Sequence, residues 1–297
     1  MASKKVERRE GGAGVGAAER AGCQRITGSN KQLSVIKTSE NVPRTLSAHG
    51  MFVVLYFEHH SISIVGRRNM SLTSLNIPFA LNTSKDDLIT GFFVPLLKKS
   101  MSYDRGVGYF SSRWIKEAFE GMTEFARNGG KARWITSPLL DKEDWDALVV
   151  GNEAKRNEIL KKALILAIND LAQALRHDTL VALAWMISDG ILEFKLAKPR
   201  NKLDHEYHAK VGIFTDTEEN SISFDGSYND SITGLHNFES IKVFRSWDST
   251  REYVTQEKEC FENIWNNKDP NIETFDIPEA AKAARPQGGH DSVGAGD

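Results

Sequence analysis

The sequence predicts an α/β fold with a mixed β-sheet held between helical layers. Two observations carry this. From about residue 84 to residue 266, short apolar runs of strand character alternate with longer segments of helical period. Most of those helical segments open on Ser or Asp and two close on Gly, as helix ends do. Composition agrees: 297 residues, 40% hydrophobic and 26% charged, is ordinary for a globular chain of one or two domains.

The elements follow in order. Residues 1–48 are rich in Gly, Ala, Ser, Arg and Glu, with little apolar periodicity, and read as disordered. Phe52–Phe57 has strand character but no evident partner, and Met70 opens a segment that makes a more natural beginning. Residues 1–69 are therefore expected to be an appendage or an over-long start. Order is expected from about Ser84, where Ser84, Lys85, Asp86 and Asp87 make a capping-type start. Leu88, Ile89, Phe92, Phe93, Leu96 and Leu97 then share one helical face, which Pro95 should kink or interrupt.

Gly106–Phe110 reads as a strand, followed by a helix capped by Ser111 or Ser112 and running through Ala126 to Gly129 and Gly130. Lys131–Ser137 reads as a buried strand. Glu153 to about Arg176 is expected to be the longest helix, with Ile159, Leu160, Ala163, Leu164, Leu166, Ala167 and Leu171 as its apolar stripe. Asp178 should cap a helix over Thr179–Ile187, ended by Gly190. Ile191–Ala197, His208–Phe214, Ser221–Phe224 and Glu239–Phe244 are strand candidates. Ser249 to Asn266 is a final amphipathic helix with Tyr253, Val254, Cys260, Phe261, Ile264 and Trp265 inward. The globular domain is set at residues 80–270, and residues 278–297, rich in Ala, Gly, Pro and Asp, read as a disordered tail.

Charge and cysteine content narrow the function. Net charge is −2, but residues 1–69 hold eleven Lys/Arg against five Asp/Glu, leaving the remainder at −8. An acidic body is unlike a free-standing, tight nucleic-acid binder, so a polyanion site must be a local basic pocket or use a partner. Cys23 and Cys260 belong to no CxxC or Cys/His cluster, so neither a zinc site nor a disulfide framework is expected, and a reduced, cytoplasmic setting is the default. No apolar run reaches the ~18 residues of a membrane span.

The most informative stretch is His208 and Lys210, then Asp216, then Gly226, Ser227 and Asn229, then Asn237 and Glu239. On a strand, His208 and Lys210 point to the same face, amid the apolar Val211, Ile213 and Phe214. Burying a lysine and a histidine without a purpose is costly. Phosphodiester cleavage needs an in-line nucleophile, positive charge on the non-bridging oxygens and a proton for the leaving group. An imidazole can attack phosphorus if a carboxylate holds its other nitrogen. Lys210 supplies charge, Ser227 and Asn229 can donate hydrogen bonds, Gly226 allows close approach, and Glu239 or Asp216 can orient His208. Such chemistry requires no metal.

This pattern resembles the phospholipase D superfamily, whose signature is HxK, a downstream Asp, GSxN and NxE. Tyr103–Ser112 resembles the first strand and turn of the single-motif (HKD) phospholipase D-like domains fused to DEAD/DEAH helicases and restriction systems. The resemblance covers roughly residues 80–270 and implies a three-layer αβα sandwich with a mixed sheet. It implies His208 as nucleophile or general acid, Lys210, Ser227 and Asn229 with Gly226 as the phosphate-binding set, and Glu239 holding the histidine ring. It departs in one place: the usual aspartate position, five after the lysine, is Thr215, and the acid is Asp216.

Other candidates have ordinary readings. His205 reads as a solvated loop residue and His236 as turn packing, while His59 and His60 lack a third ligand nearby. Arg105 can meet a backbone phosphate or form a surface salt bridge. Trp114, Trp134, Trp185 and Trp265 read as core, and the Lys155, Arg156, Lys161 and Lys162 run as a solvated helix face.

The motif occurs once, and in-line displacement wants a second acid opposite the first, so a homodimer with His208 from each chain at one phosphate is expected. The expectation is a metal- and cofactor-independent phosphodiesterase, nuclease-type and acting on DNA, without membrane attachment. The chain has no GxxxxGK[ST], so a helicase or motor partner, in a restriction or defence setting, would be a separate protein. The alternatives are a catalytically weak DNA-phosphate-binding module and a phospholipid phosphodiesterase.

Overall fold

The computed structural model describes residues 70–168 and 170–277, together with the backbone of four short strands nearer the N-terminus. The chain divides into two units, Met1–Gly66 and Arg67–Asp297. In the first, β1 (Arg25–Gly28) pairs antiparallel with β2 (Lys31–Ser34), and β3 (Thr45–Ala48) with β4 (Met51–Val54). Apart from these strands, the readings of residues 1–69 and 278–297 lie outside the described residues.

The second unit is built on one eight-stranded mixed sheet. Its strands are β5 (Ala80–Asn82), β6 (Ser102–Val107), β7 (Lys131–Thr136), β8 (Leu192–Pro199), β9 (Lys210–Thr215), β10 (Ser221–Gly226), β11 (Ser240–Arg245) and β12 (Ile272–Asp276), in the spatial order β12-β8-β7-β6-β9-β10-β11-β5. β6, β7 and β8 are parallel neighbours joined by helical crossovers, and β9, β10 and β11 form an antiparallel meander. β6 meets β9 antiparallel, with Val107 opposite Lys210.

Alternation along the strands sends side chains to two cores. On one face Tyr103, Trp134, Phe194, Phe214 and Phe224 pack against Phe92 and Phe93, α1 (Val94–Lys99), α2 (Ser112–Glu117), α3 (Phe119–Arg127), α4 (Lys142–Ala154), α6 (Leu171–His177) and α7 (Thr179–Ser188). On the other, Ile135, Ala197 and Ile213 pack under α9 (Arg251–Trp265), with Phe261, Ile264 and Trp265. The fold is thus α/β, with a mixed sheet between helical layers, as the sequence predicts.

Element by element the structure corrects the sequence reading. The capping stretch does cap the first helix, but through its last residue and not Ser84, which lies in a turn: Asp87 Oδ1 accepts the Ile89 and Thr90 N–H groups at 2.9 and 3.2 Å. Pro95 follows a π-helical turn, Ile89–Phe93, which absorbs the interruption while all six predicted apolar residues stay buried. The fold nevertheless begins before Ser84: Leu72 is fully buried and β5 closes a sheet edge. The first long strand ends at Val107 rather than Phe110. The expected helix over residues 153–176 is instead the end of α4, then α5 (Glu158–Ala167) and α6. Asn157 and Asp170 break it, because their side chains accept N–H bonds from the residues that follow, and a cap at those sites competes with helix continuation. Of its expected stripe, Leu164 is buried, while Ile159 and Leu166 are 83% and 79% exposed. On α9, Tyr253 and Cys260 face solvent, Tyr253 stacking on Phe244. Among the described residues, no helix is long and apolar enough to cross a membrane.

Candidate active site

The site forms where the parallel strands meet the meander. β6 ends at Val107, opposite Lys210, and the chain turns at Gly108 directly against His208. A Cβ on Gly108 would lie 2.8 Å from His208 Cδ2 and 3.5 Å from Asn229 Oδ1, so the glycine leaves the His208 ring its place where the three segments converge. The turn is pinned from below by Ser137, whose hydroxyl donates to the Gly108 carbonyl at 2.6 Å. The Tyr109 N–H donates to Asn229 Oδ1 at 3.2 Å, which leaves the Asn229 amide N–H groups available to a ligand.

His208 is exposed and lies two residues before β9, not on the strand. Lys210 opens β9, partly buried, and its ammonium donates to the His208 carbonyl at 3.0 Å. Burial lowers the Lys210 pKa and the Arg105 charge lowers it further, while Glu239 opposes both. Ser227 is exposed at the end of β10. Its N–H donates to the Ser240 carbonyl at 3.0 Å and its Oγ accepts from the Ser240 N–H at 3.1 Å. Its hydroxyl proton is therefore left to donate to a ligand oxygen. Gly226 makes this pairing possible, since a Cβ there would sit 2.0 Å from the Ser240 carbonyl oxygen.

Glu239 is buried, and β5's end holds its backbone. The Glu239 N–H donates to Thr83 Oγ1 at 2.8 Å, the Thr83 N–H donates to the Glu239 carbonyl at 3.0 Å, and the Thr83 hydroxyl donates to the Asn237 carbonyl at 2.6 Å. What ties the Glu239 carboxylate to the site is its charge, felt at Lys210.

Asp216 is not brought to this cluster. It sits past the far end of β9, six residues from Lys210, or roughly 20 Å along a strand. There it is 2% exposed and accepts the Leu72 N–H at 2.8 Å, the Glu218 and Asn220 N–H groups at 2.8 and 3.0 Å, and the Asn220 side-chain amide at 3.2 Å. His205 is solvated beside Asp204, and His236 and Asn237 are exposed at the end of α8 (Ile232–His236). His59 and His60 lie outside the described residues. Among the described residues, no group of three or more His, Cys, Asp or Glu side chains gathers to hold a metal ion. A cavity of about 370 Å³ is lined by Thr83–Ile89, Tyr228 and Leu235, and by none of His208, Lys210, Ser227 or Asn229.

The residue that sequence reasoning misplaced is Arg105. It is neither a phosphate contact nor a surface salt bridge, because it and Asp230 are both fully buried. Its Nε and Nη2 donate to Asp230 at 3.0 and 2.8 Å, Nη2 donates to the Tyr228 carbonyl at 2.7 Å, and Nη1 to the Val211 carbonyl at 3.1 Å. Trp134 Nε1 completes the carboxylate's bonding at 2.9 Å. Burial opposes the Arg105 charge, but Asp230 outweighs it and the guanidinium pKa is raised. One side chain thus fixes the loop carrying Ser227 and Asn229 relative to the strand carrying Lys210. The available signal was Asp230, an acid directly after the GSxN motif.

No family model and no curated protein matches the chain. Solved structures do. NucT from Helicobacter pylori is 15% identical with a TM-score of 0.37, over 65% of this chain and 99% of that one. Nuc from Salmonella typhimurium, described as a phospholipase D family member, is 10% identical with a TM-score of 0.38, over 66% and 95%. A phosphatidylserine synthase from Haemophilus influenzae is 12% identical with a TM-score of 0.38, over 69% and 42%.

Proposed function

We propose that the protein is a phosphodiesterase acting on nucleic acid, DNA in the first instance, through a covalent phosphohistidine. The observation that carries this reading is the convergence of His208 and Asn229 across Gly108, with the Lys210 ammonium beside them. Lys210 balances charge on the non-bridging oxygens, and the Asn229 amide and Ser227 hydroxyl donate to them. The His208 imidazole attacks phosphorus, the bond to the leaving oxygen breaks, and that oxygen takes a proton from an acid on the opposite side. Water then attacks the phosphohistidine, the P–N bond breaks, and the same acid accepts the water's proton. Glu239 supports the positive charge of the pocket, while Asp216 ties the fold and has no part in the step. A chain with one such histidine takes the opposing acid from a second copy, as His208 of a two-fold partner. A separate motor protein in a restriction or defence setting, in the cytoplasm, completes the proposal.

The test is incubation with plasmid and oligonucleotide in EDTA. Wild-type protein cuts, His208→Ala does not, and acid-labile phosphate is trapped on residue 208. Headgroup release from phosphatidylcholine without cleavage of nucleic acid would overturn the reading in favour of a lipid enzyme. Tight DNA binding without cleavage would leave a binding module.

A further inference from the structure

We infer that the strand held at this site is single-stranded, its unpaired bases stacked on Tyr109 and Phe238; this rests on the phosphodiesterase reading above. Two large aromatic side chains stand open to solvent beside the two phosphate-binding groups. Tyr109 is 43% exposed, and its own N–H holds Asn229. Phe238 is 73% exposed and lies two residues from Ser240, whose N–H holds Ser227. Single exposed apolar residues are common, but these two stand within two residues of the backbone N–H groups that hold Asn229 and Ser227.

Both rings stand on fixed backbone. Tyr109 lies between Gly108, bonded to Ser137, and Phe110, which is buried and bridges to Asp230. Phe238 lies between Asn237 and Glu239, both bonded to Thr83. A ring held out of the core on rigid backbone loses little freedom when a ligand covers it. In a duplex, bases are stacked and paired inside the helix and cannot reach such rings. In a single strand each base offers an open face, so stacking tolerates any sequence. A lipid surface fits less well, because the exposed Leu203 in the loop before His208 stands in mixed charge, with Arg200 and Lys202 on one side and Asp204 and Glu206 on the other, rather than on a uniformly basic face.

The experiment measures the affinity of fluorescently labelled 20-mers by anisotropy, for the reference chain, Tyr109→Ala, Phe238→Ala and Phe238→Trp. The probes are single-stranded DNA, the same strand in duplex, and a single strand of abasic sugar phosphates, with binding to phosphatidylcholine vesicles measured alongside. The inference expects the reference to prefer the base-bearing single strand over both others. Each alanine variant should weaken that binding roughly tenfold, closing the gap to the abasic strand, and Phe238→Trp should restore it. Equal affinity for duplex and single strand, or alanine variants that bind the base-bearing strand like the reference, would overturn it. So would variants whose losses appear only on phosphatidylcholine vesicles. Every protein in this binding series, the reference included, carries His208→Ala so that binding is read without turnover; a chain with His208 intact that cuts nothing would sink the phosphodiesterase reading while the anisotropy still decides this one.

Discussion

In the proposed mechanism, one methyl group at Gly108 separates a site with His208 in place from a folded chain with it displaced. The nearest atom to an added Cβ is the tip of the His208 ring at 2.8 Å, with His208 Cα at 3.3 Å. The ring can swing away, so the fold should survive while the nucleophile moves. A misplacement of about 1 Å can cost on the order of a hundredfold in rate. Gly108→Ala is therefore expected to melt near the wild-type temperature by circular dichroism yet lose at least tenfold in kcat. Lys210 gives a second residue-scale expectation. Its ammonium must be charged to hold phosphate, and burial with Arg105 nearby lowers its pKa from the ordinary 10.5. The alkaline limb of kcat/KM should consequently fall below that value. Glu239 raises the same pKa, so Glu239→Gln should move the limb to still lower pH. A limb that stays put in Glu239→Gln, measured across pH 7–11, would detach Glu239 from Lys210.

β9 shows why an element matters beyond its residues. Its first residue, Lys210, faces the site, while beyond its last lies Asp216, which binds the turn into β10 and the backbone of Leu72. Asp216→Ala leaves those donors without their acceptor and should cost about 2–3 kcal/mol, seen as a lower urea midpoint, with kcat of the folded protein retained. Lost turnover at an unchanged midpoint would put Asp216 in the chemistry. The strands were legible because their apolar runs are short and bounded, and the approach of His208 to Asn229 because their spacing puts them just outside the paired strands β9 and β10. Asp216 misled because nearness in sequence along a strand is distance in space. Arg105 misled because a lone arginine in a strand does not announce its partner, which lies on a loop 125 residues away. The 153–176 helix misled because apolar spacing was weighed above Asn157 and Asp170, whose capping is decided by local hydrogen bonds.

At the scale of the whole molecule, the proposed mechanism makes assembly part of the chemistry, because the His208 motif occurs once per chain. Mixing wild-type and His208→Ala chains by co-refolding should give activity that falls as the square of the wild-type fraction. An equal mixture would keep about a quarter of the activity, against half for independent sites. A strict monomer by sedimentation that still cuts would end the shared-site idea. The sheet order also has a consequence in time. β5 is an edge strand whose partner, β11, is made last but one in the sheet, and Thr83 grips Glu239 across the same junction. A growing chain at the ribosome, adding about 5–20 residues each second, thus waits on the order of ten seconds between making Thr83 and making the carboxylate it must seat. Through that interval the nascent protein has no finished pocket, so the proposed phosphodiester chemistry waits until β11 is made.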